Sequence, residues 1–587
     1  MKIAIIGAGP RGLSVAERLC ARHETLTLYL IDPFGIGGIV WQKEQSPYFL
    51  MNTISQQVTL FTDSSCQLDG PIIDGPHLYQ WLQETESHTL PKTLQAAARQ
   101  LTADEPAPRA LYGVYQEWFF QKLQQRYPQV TFHVLKDTVT DIRQSQPVVL
   151  ELASNEPLTV DAAILTLGHS PNEFKAEEQA FFALNKTTPV YFPAQVPTQV
   201  DLQTIQKTDI VILRGLGLSF FDYLSLLTQG RGGLFAWQAG QLHYLPSGED
   251  PLILASSRSG LPYHVRGDNQ KRYGESYQPV FFTKKTLQNL SAPVPYTKLW
   301  KLLQIEIEAC YYWTAHCQKV PLAAGSRTAF YQHYQDSRQQ PEQFKQAYQL
   351  TLPTWSWDNV LEPVKATDLA DFQAQLQTFL LQDAREARKG NLNGPLASAL
   401  DALKDLRDEV RLMITLLSEE ERSQCFLGEF VGINASLSIG PPSHKGLELA
   451  ALQAAGVVTF TGPDMQVTHD GDAFVVTSTY PETFRGTKLV EARLPGIQAD
   501  KSLNPLTQAL LNRGFARLHQ LADTATGALA IDADGRLLAA DGQPQPTLFL
   551  AGIPTEGYHF LTALSPRPGV NEQFFQETDR IAQRVLA

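Results

Sequence analysis

The chain has 587 residues, 43% hydrophobic, 10% aromatic and 18% charged, which excludes a disordered chain and a single small module and suits about two to four packed domains. Its 60 Asp and Glu against 48 Lys and Arg leave a net charge of −12, so sequence-independent binding to nucleic acid is disfavoured and a small-molecule substrate is expected. Cys20, Cys66, Cys310, Cys317 and Cys425 are scattered, with no C-x-x-C and no Cys/His spacing of zinc-site type, so neither a disulfide scaffold nor a metal is expected.

The N-terminus, Met1 to Gly7, has one basic residue and too short an apolar stretch for a signal-peptide core, and no run approaches the roughly 18 apolar residues of a membrane span. A cytoplasmic location without membrane contact is the simplest expectation. Ile3 to Ile6 reads as a strand, Leu13 to Leu19 as a helix and Leu26 to Ile31 as a second strand, a β-α-β unit. Between the first strand and the helix lies Gly7-Ala8-Gly9-Pro10-Arg11-Gly12, a complete G-x-G-x-x-G. Gly7 permits the tight turn, Gly9 lets the backbone approach a pyrophosphate, and Gly12 lets helix and strand pack closely. The phosphate would sit on the unpaired N–H groups at the start of the helix, in the turn formed by Pro10, Arg11 and Gly12. Asp32, 20 residues past Gly12 at the end of the second strand, is placed to accept hydrogen bonds from a ribose.

Next comes Phe34-Gly35-Ile36-Gly37-Gly38-Ile39-Val40-Trp41. Gly37, Gly38 and Trp41 suit the loop that runs along a flavin, the alternative being a surface turn over a buried Trp41. Asp161 to His169 is an apolar strand ending in Thr-x-Gly-His, which returns the chain to the first nucleotide unit. Around residues 208 to 257 the β-α-β order recurs, with Arg214-Gly215-Leu216-Gly217-Leu218-Ser219-Phe220 at its turn. Here Phe220 stands where the third glycine would be, and it must find room or displace its helix. Arg258, after the returning strand Leu252 to Ala255, can grip a 2′-phosphate that a carboxylate would repel, which favours NADP(H) over NAD(H). Arg231 is a second candidate for that task.

From 285 to 430 helical spacing dominates. Leu369, Phe372, Leu376 and Phe379 mark one helix with Asp368 as N-cap and Gly390 as stop. A second opens at Gly394-Pro395 and carries Leu396, Leu400, Leu403, Val410 and Leu417 on one stripe, with Lys404, Asp405, Arg407, Asp408 and Glu409 mostly elsewhere. From about 431 glycine turns and short strands return, ending in Leu548 to Gly552 and a final helix from about Glu572. The expected fold is α/β, with two Rossmann-like dinucleotide-binding domains and a helical cap: 1–200 and 201–284 for FAD and NAD(P), 285–430 for the cap, and 431–587 returning to the nucleotide-binding domains.

Several of these segments resemble the bacterial FAD-NAD(P)-binding flavoprotein family: Ile6 to Gly12, Met51-Asn52 leading to Val58-Thr59-Leu60-Phe61, Leu167-Gly168-His169-Ser170-Pro171 and Arg214 to Gly217. So do Ser257 to Pro262, Gly390 to Pro395, Ile439 to Pro442 and Gly552 to Gly557. The family is similar in layout to N-hydroxylating and related class B flavin monooxygenases, which implies FAD in the first domain and NADPH in the second. By the same resemblance, Asn52, Gly168 and Gly552 line the FAD site, and the loop Leu564 to Asn571, with Gly569, Val570 and Asn571, approaches the isoalloxazine. Phe220 departs from the family's small residue after the serine, the Baeyer-Villiger signature is absent, and the Gly552 loop lacks the aspartate of disulfide-reductase relatives. His169 could face the flavin or the second cofactor, or be a turn histidine held by hydrogen bonds.

The expected function is an FAD-containing, NAD(P)H-dependent oxidoreductase of monooxygenase type, passing hydride to flavin and then one oxygen atom to a small molecule. A reductase without oxygen insertion and a non-enzymatic flavin- or nucleotide-binding redox sensor are the alternatives. Oligomeric state is left open.

Overall fold

The computed structural model describes residues 1–22, 25–320 and 326–587; residues 321–325, inside the stretch expected as a helical cap, lie outside the described residues. The chain forms two compact units: Met1–Glu177, Ala194–Asp201 and Leu494–Ala587 in the first, Glu178–Pro193 and Leu202–Arg493 in the second. Among the described residues no helix is long and apolar enough to cross a membrane.

The first unit is built on a six-stranded sheet in the order Arg536–Leu538, Pro544–Leu550, Ala162–Leu165, Lys2–Ile6, Thr27–Ile31, Thr131–Leu135. All neighbours pair in parallel except the first two. Both faces are covered, so the inner strands are continuous apolar runs rather than alternating ones. Ile3 and Ile5 pack with Leu13, Val15 and Ala16, while Ala4 and Ile6 face Leu506 and Leu510. The helix Pro10–Arg22 starts with proline at its first position, where the missing N–H costs nothing. Beside it lies the C-terminal helix Gln573–Leu586. Ser14 Oγ meets Thr578 Oγ1 at 2.9 Å, Arg22 pairs with Asp579 at 2.6 Å, and Arg18, fully buried, pairs with Glu17 at 2.5 Å.

The second unit holds a five-stranded parallel sheet ordered Tyr191–Phe192, Lys488–Glu491, Ile210–Arg214, Leu252–Ser256, Val458–Phe460. A hairpin, Leu234–Gln238 with Gln241–Leu245, is inserted before the returning strand. Ala239 and Gly240, both at positive φ (49° and 80°), close it, as a two-residue hairpin turn requires.

The helical stretch clusters with this second unit. Asp368 caps Leu369–Ala387 by accepting from Asp371 N at 2.9 Å, and Gly390 ends the segment at φ 89°. The helix expected to run from Pro395 to Leu417 is instead two, Pro395–Asp405 and Arg407–Leu416, broken at Leu406. Its charges are not all on the solvent side either. Asp401, Lys404 and Asp405 turn inward with Lys271 into a buried cluster of two cations and two carboxylates, Lys271 reaching both aspartates at 2.5 Å and Lys404 reaching Asp401 at 2.6 Å. Charge balance makes that burial tolerable. Helices also persist past 431, as Val431–Ser438 and Ser443–Ala454, and strands resume only at Val458.

The loop after strand Leu252–Ser256 is clamped by His264. Its Nδ1 lies 2.6 Å from Asp383 Oδ1, its Nε2 lies 2.9 Å from the Val360 carbonyl, and Val265 N donates to Asp383 Oδ2 at 2.8 Å. Both ring nitrogens face acceptors only, so the imidazole is doubly protonated. Burial works against that charge, but Asp383 and the Val360 carbonyl outweigh it and raise the pKa above the ordinary 6.5. Between 6.5 and the higher folded value the native state holds a proton that the unfolded chain has lost, so raising pH favours unfolding. The stabilisation is therefore complete below pH 6.5 and disappears as pH rises through the folded value. Denaturant unfolding of wild type and His264→Gln from about pH 6 to 9 should show a downward slope in wild type that the variant lacks; equal slopes would refute the pair.

Candidate cofactor sites

In the first unit the strand order reverses at Lys2–Ile6, which has Thr27–Ile31 on one side and Ala162–Leu165 on the other. Ligands of open parallel sheets bind outside the carboxyl ends of the strands at such a point. There the three glycines of the turn have different reasons to be glycine. A β-carbon at Gly7, where φ is 108°, would lie 2.5 Å from the Thr166 carbonyl oxygen, and one at Gly12 would lie 2.1 Å from the carbonyl oxygen of Gly7. Packing alone demands both. At Gly9 the nearest atom to such a carbon is the Gly37 carbonyl oxygen at 3.8 Å. The protein does not fill that space, which fits a pyrophosphate approaching the backbone.

The first helical turn carries no acidic residue, so its N-terminal N–H groups stay available to an anion. Asp32 accepts from Ala8 N at 3.0 Å and from Phe34 N at 2.9 Å. Burial raises its pKa while those two N–H groups oppose the rise. Each carboxylate oxygen keeps a lone pair for a ribose hydroxyl. The second glycine loop wraps this turn: Gly37 N donates to the Ala8 carbonyl at 2.9 Å, and Gly38, at φ 63°, passes within 3.2 Å of Asp32 Oδ2 at its β-position. Trp41 is half-buried and set edge-on to Tyr112 with ring centroids 4.9 Å apart.

Thr166, which sequence reasoning passed over, hydrogen-bonds the Gly7 carbonyl through Oγ1 at 2.8 Å and so ties the two strand ends together. Gly168 just beyond is exposed, with nothing within 4 Å of its β-position. His169 is half-buried; its Nδ1 is shielded and without a partner among the described residues. Burial lowers its pKa against a hydrogen bond to the Pro495 carbonyl. Asn52 lies half-buried in strand Leu50–Ile54.

The guanidinium of Arg11 points away from the turn. It pairs with Glu577, donates to the Thr562 carbonyl at 2.9 Å and lies over the Phe574 ring at 4.5 Å. Its backbone N–H, rather than its side chain, is left for a phosphate. Gly552, at φ 90°, makes room for it, a β-carbon there lying 2.9 Å from Arg11 Nε. The C-terminal loop is laid on residues 59–67: Thr59 N donates to the Pro566 carbonyl at 3.1 Å, Gly569 N to Asp63 Oδ2 at 2.6 Å, and Gln67 N to Asn571 Oδ1 at 2.8 Å. The Val570 carbonyl accepts from Glu572 N at 2.9 Å, starting the last helix.

The second unit repeats the pattern. Gly215, at φ 126°, would put a β-carbon 2.9 Å from the Ala492 carbonyl oxygen, whereas at Gly217 the nearest atom is Tyr263 Oη at 3.5 Å. Helix Leu218–Leu227 follows with Ser219 buried in its first turn. Phe220 finds room, wholly buried and edge-on to Phe221 at 5.3 Å. Arg258 is exposed and has no ion-pair partner among the described residues. Arg231 is removed as a phosphate ligand, because it donates to the carbonyls of Leu202 at 3.1 Å, Ile205 at 2.8 Å and Glu249 at 3.3 Å.

The glycine geometry separates folding from binding. Gly9→Ala should leave the unfolding transition of the FAD-free protein unchanged while cutting FAD retention, whereas Gly12→Ala should lower the transition itself, by about 1–3 kcal/mol or more for an overpacked contact. FAD content by absorbance, with thermal unfolding of the stripped protein, checks both; full FAD retention in Gly9→Ala would sink the assignment.

A family model described as FAD-NAD(P)-binding matches residues 4–170. An L-aspartate N-monooxygenase (nitrosuccinate-forming) of Streptomyces davaonensis is 35% identical over 633 aligned residues, spanning 100% of this chain and 97% of its own length. A nitrosuccinic acid synthase of Aspergillus oryzae is 34% identical over 617, spanning 100% of this chain and 92% of its own. The Streptomyces cremeus L-aspartate N-monooxygenase (nitrosuccinate-forming) is 35% identical over 636, with 100% and 95% covered. Similarity of that extent, with two glycine turns of nucleotide-binding geometry, leads to one conclusion: the chain belongs to the FAD-NAD(P)-binding family of these N-monooxygenases and is an FAD-containing, NAD(P)H-dependent oxidoreductase of monooxygenase type.

Proposed function

We propose that the protein oxidises the amine of L-aspartate to a nitro group, forming nitrosuccinate at the expense of NADPH and O2. The observation that carries this reading is the end-to-end similarity to relatives named for that product. Amine to nitro is a six-electron oxidation of nitrogen, reached by three oxygen-atom transfers. Each transfer consumes one O2 and one NADPH, leaving one oxygen atom on nitrogen and one in water; the two amine hydrogens leave as a fourth water.

Bound FAD would supply hydride acceptance and oxygen activation. The chain's part is to hold and orient. The Gly7–Gly12 turn offers helix N–H groups to the pyrophosphate, Gly9 gives the close approach, and Asp32 accepts the ribose hydroxyls. Gly37 and Gly38 keep the second loop tight against that turn, and Gly552, Gly569, Val570 and Asn571 set the C-terminal loop. In the second unit Gly215 and Gly217 shape the NADPH turn, and Arg258, exposed and unpaired, suits the 2′-phosphate through its forked donors.

With L-aspartate, wild-type protein should consume about three NADPH and three O2 per nitrosuccinate, with both nitro oxygens derived from O2. Mass spectrometry under 18O2 tests this. Hydrogen peroxide stoichiometric with NADPH and unaffected by L-aspartate would overturn it. Arg258→Ala should raise KM for NADPH by about 10- to 100-fold, as expected for losing a charge-assisted contact, and leave KM for NADH unchanged; steady-state kinetics with both donors checks the choice of cofactor.

A further inference from the structure

The loop that follows strand Leu252–Ser256 carries Arg258 near its start and Tyr263 further on, and backbone contacts pin it along its length. The Arg258 carbonyl accepts from Asp464 N at 2.9 Å, and Gly260, at φ 70°, would put a β-carbon 2.9 Å from the backbone of Pro463. Pro262 fixes its own φ just before Tyr263. On the far side His264 N donates to the Ser436 carbonyl at 2.9 Å and Arg266 N to the Pro441 carbonyl at 2.8 Å, while Asp383 takes the His264 ring and Val265 N. Gly440 backs directly onto this stretch: a β-carbon there would lie 1.6 Å from the His264 carbonyl oxygen and 3.5 Å from Tyr263 Cβ. The backbone of Tyr263 has little room to shift.

Anchored in this way, Tyr263 lays the phenol end of its side chain against the second glycine of the nucleotide turn. Its Oη, Cε2 and Cζ lie 3.5, 3.6 and 3.6 Å from the β-position of Gly217. In such a turn that residue is glycine so that a pyrophosphate can come against the backbone. The atom nearest to it here is a hydroxyl oxygen. Among the described residues this hydroxyl makes no hydrogen bond, and burial alone raises its pKa, so it stays protonated and is a donor without an acceptor. Other tyrosines of the second unit spend theirs, Tyr244 on Asp250 at 2.6 Å, Tyr311 on the Pro353 carbonyl at 3.0 Å and Tyr334 on Glu308 at 2.6 Å. The hydroxyls of Tyr223 and Tyr296 also lack a partner but are sealed from solvent. Tyr263 is only half-buried, as is Gly217.

We propose that Tyr263 donates its hydroxyl hydrogen to the pyrophosphate of NADPH, so that one loop recognises both phosphate groups of the cofactor, the 2′-phosphate through Arg258 and the pyrophosphate through Tyr263. The inference rests on the reading of the Gly215–Gly217 turn as the NADPH site. A neutral donor to a charged oxygen makes a short, strong hydrogen bond, and a ring on a pinned backbone has little freedom to lose in making it.

The test titrates the full chain, loaded with FAD, with NADP+ in a calorimeter, and separately with adenosine 2′-monophosphate, which has the 2′-phosphate and no pyrophosphate. Tyr263→Phe keeps the ring against Gly217 and removes only a hydroxyl that bonds nothing else in the described residues, so thermal unfolding of the cofactor-free variant should match wild type. Its affinity for NADP+ should fall by about 5- to 50-fold, the loss of one hydrogen bond to a charged group, and its affinity for adenosine 2′-monophosphate should not change. Arg258→Ala should weaken both ligands. Unchanged NADP+ affinity in Tyr263→Phe overturns the contact, and so does tighter binding, because the tyrosine would then be an obstacle to the cofactor. An equal loss for both ligands overturns it as well, by showing a disturbed site rather than a missing pyrophosphate contact. Failure of wild type to bind NADP+ overturns the NADPH turn itself, and this contact with it.

Discussion

Each nucleotide unit depends on backbone meeting backbone at the end of its first strand. In the first unit the Gly7 carbonyl oxygen would lie 2.1 Å from a β-carbon at Gly12, and the Thr166 carbonyl closes on Gly7 from the adjoining strand. No side chain larger than hydrogen can enter without parting helix from strand. The contact of Gly7 with Thr166 recurs between Gly215 and the Ala492 carbonyl in the second unit, where Phe220 takes the place of Gly12. In the first unit the next glycine, Gly9, is left facing space that the protein does not fill, whereas Gly217 in the second faces the Tyr263 ring.

Around those turns, several buried charges are answered by opposite ones. Arg18, Glu17 and Asp579 join the N-terminal and C-terminal helices of the first unit, so the chain's last residues complete the domain begun by its first. Lys271, Asp401, Lys404 and Asp405 form a balanced cluster in the second unit, and His264 with Asp383 holds the loop that follows Arg258. Such groups contribute little net stability against an apolar alternative, but loss of one partner leaves an uncompensated charge, which costs about 3–5 kcal/mol.

The two arginines exposed to choice in the second unit illustrate how chemistry follows from placement. Arg231 and Arg258 sit in similar glycine- and serine-rich surroundings in the sequence. In the structure one is spent on three backbone carbonyls, and the other is exposed with no ion-pair partner among the described residues.

Features whose physics is local can be read directly from the residues. Strand, glycine turn, helix and strand around Gly7 to Ile31 are legible because a tight turn and a close strand–helix contact require glycine at fixed spacing, and Asp368 and Gly390 bound their segment for equally local reasons. The break at Leu406, the helices beyond 431 and the hairpin closed by Ala239-Gly240 escaped, since apolar periodicity does not register where a stripe changes direction. Tertiary structure alone decided which charges face inward, which arginine remains unpaired and that Arg11 serves the C-terminal helix. Those outcomes depend on partners such as Glu577, which lies 566 residues from Arg11, and spacing along a chain carries no information about a contact made only when distant segments fold together.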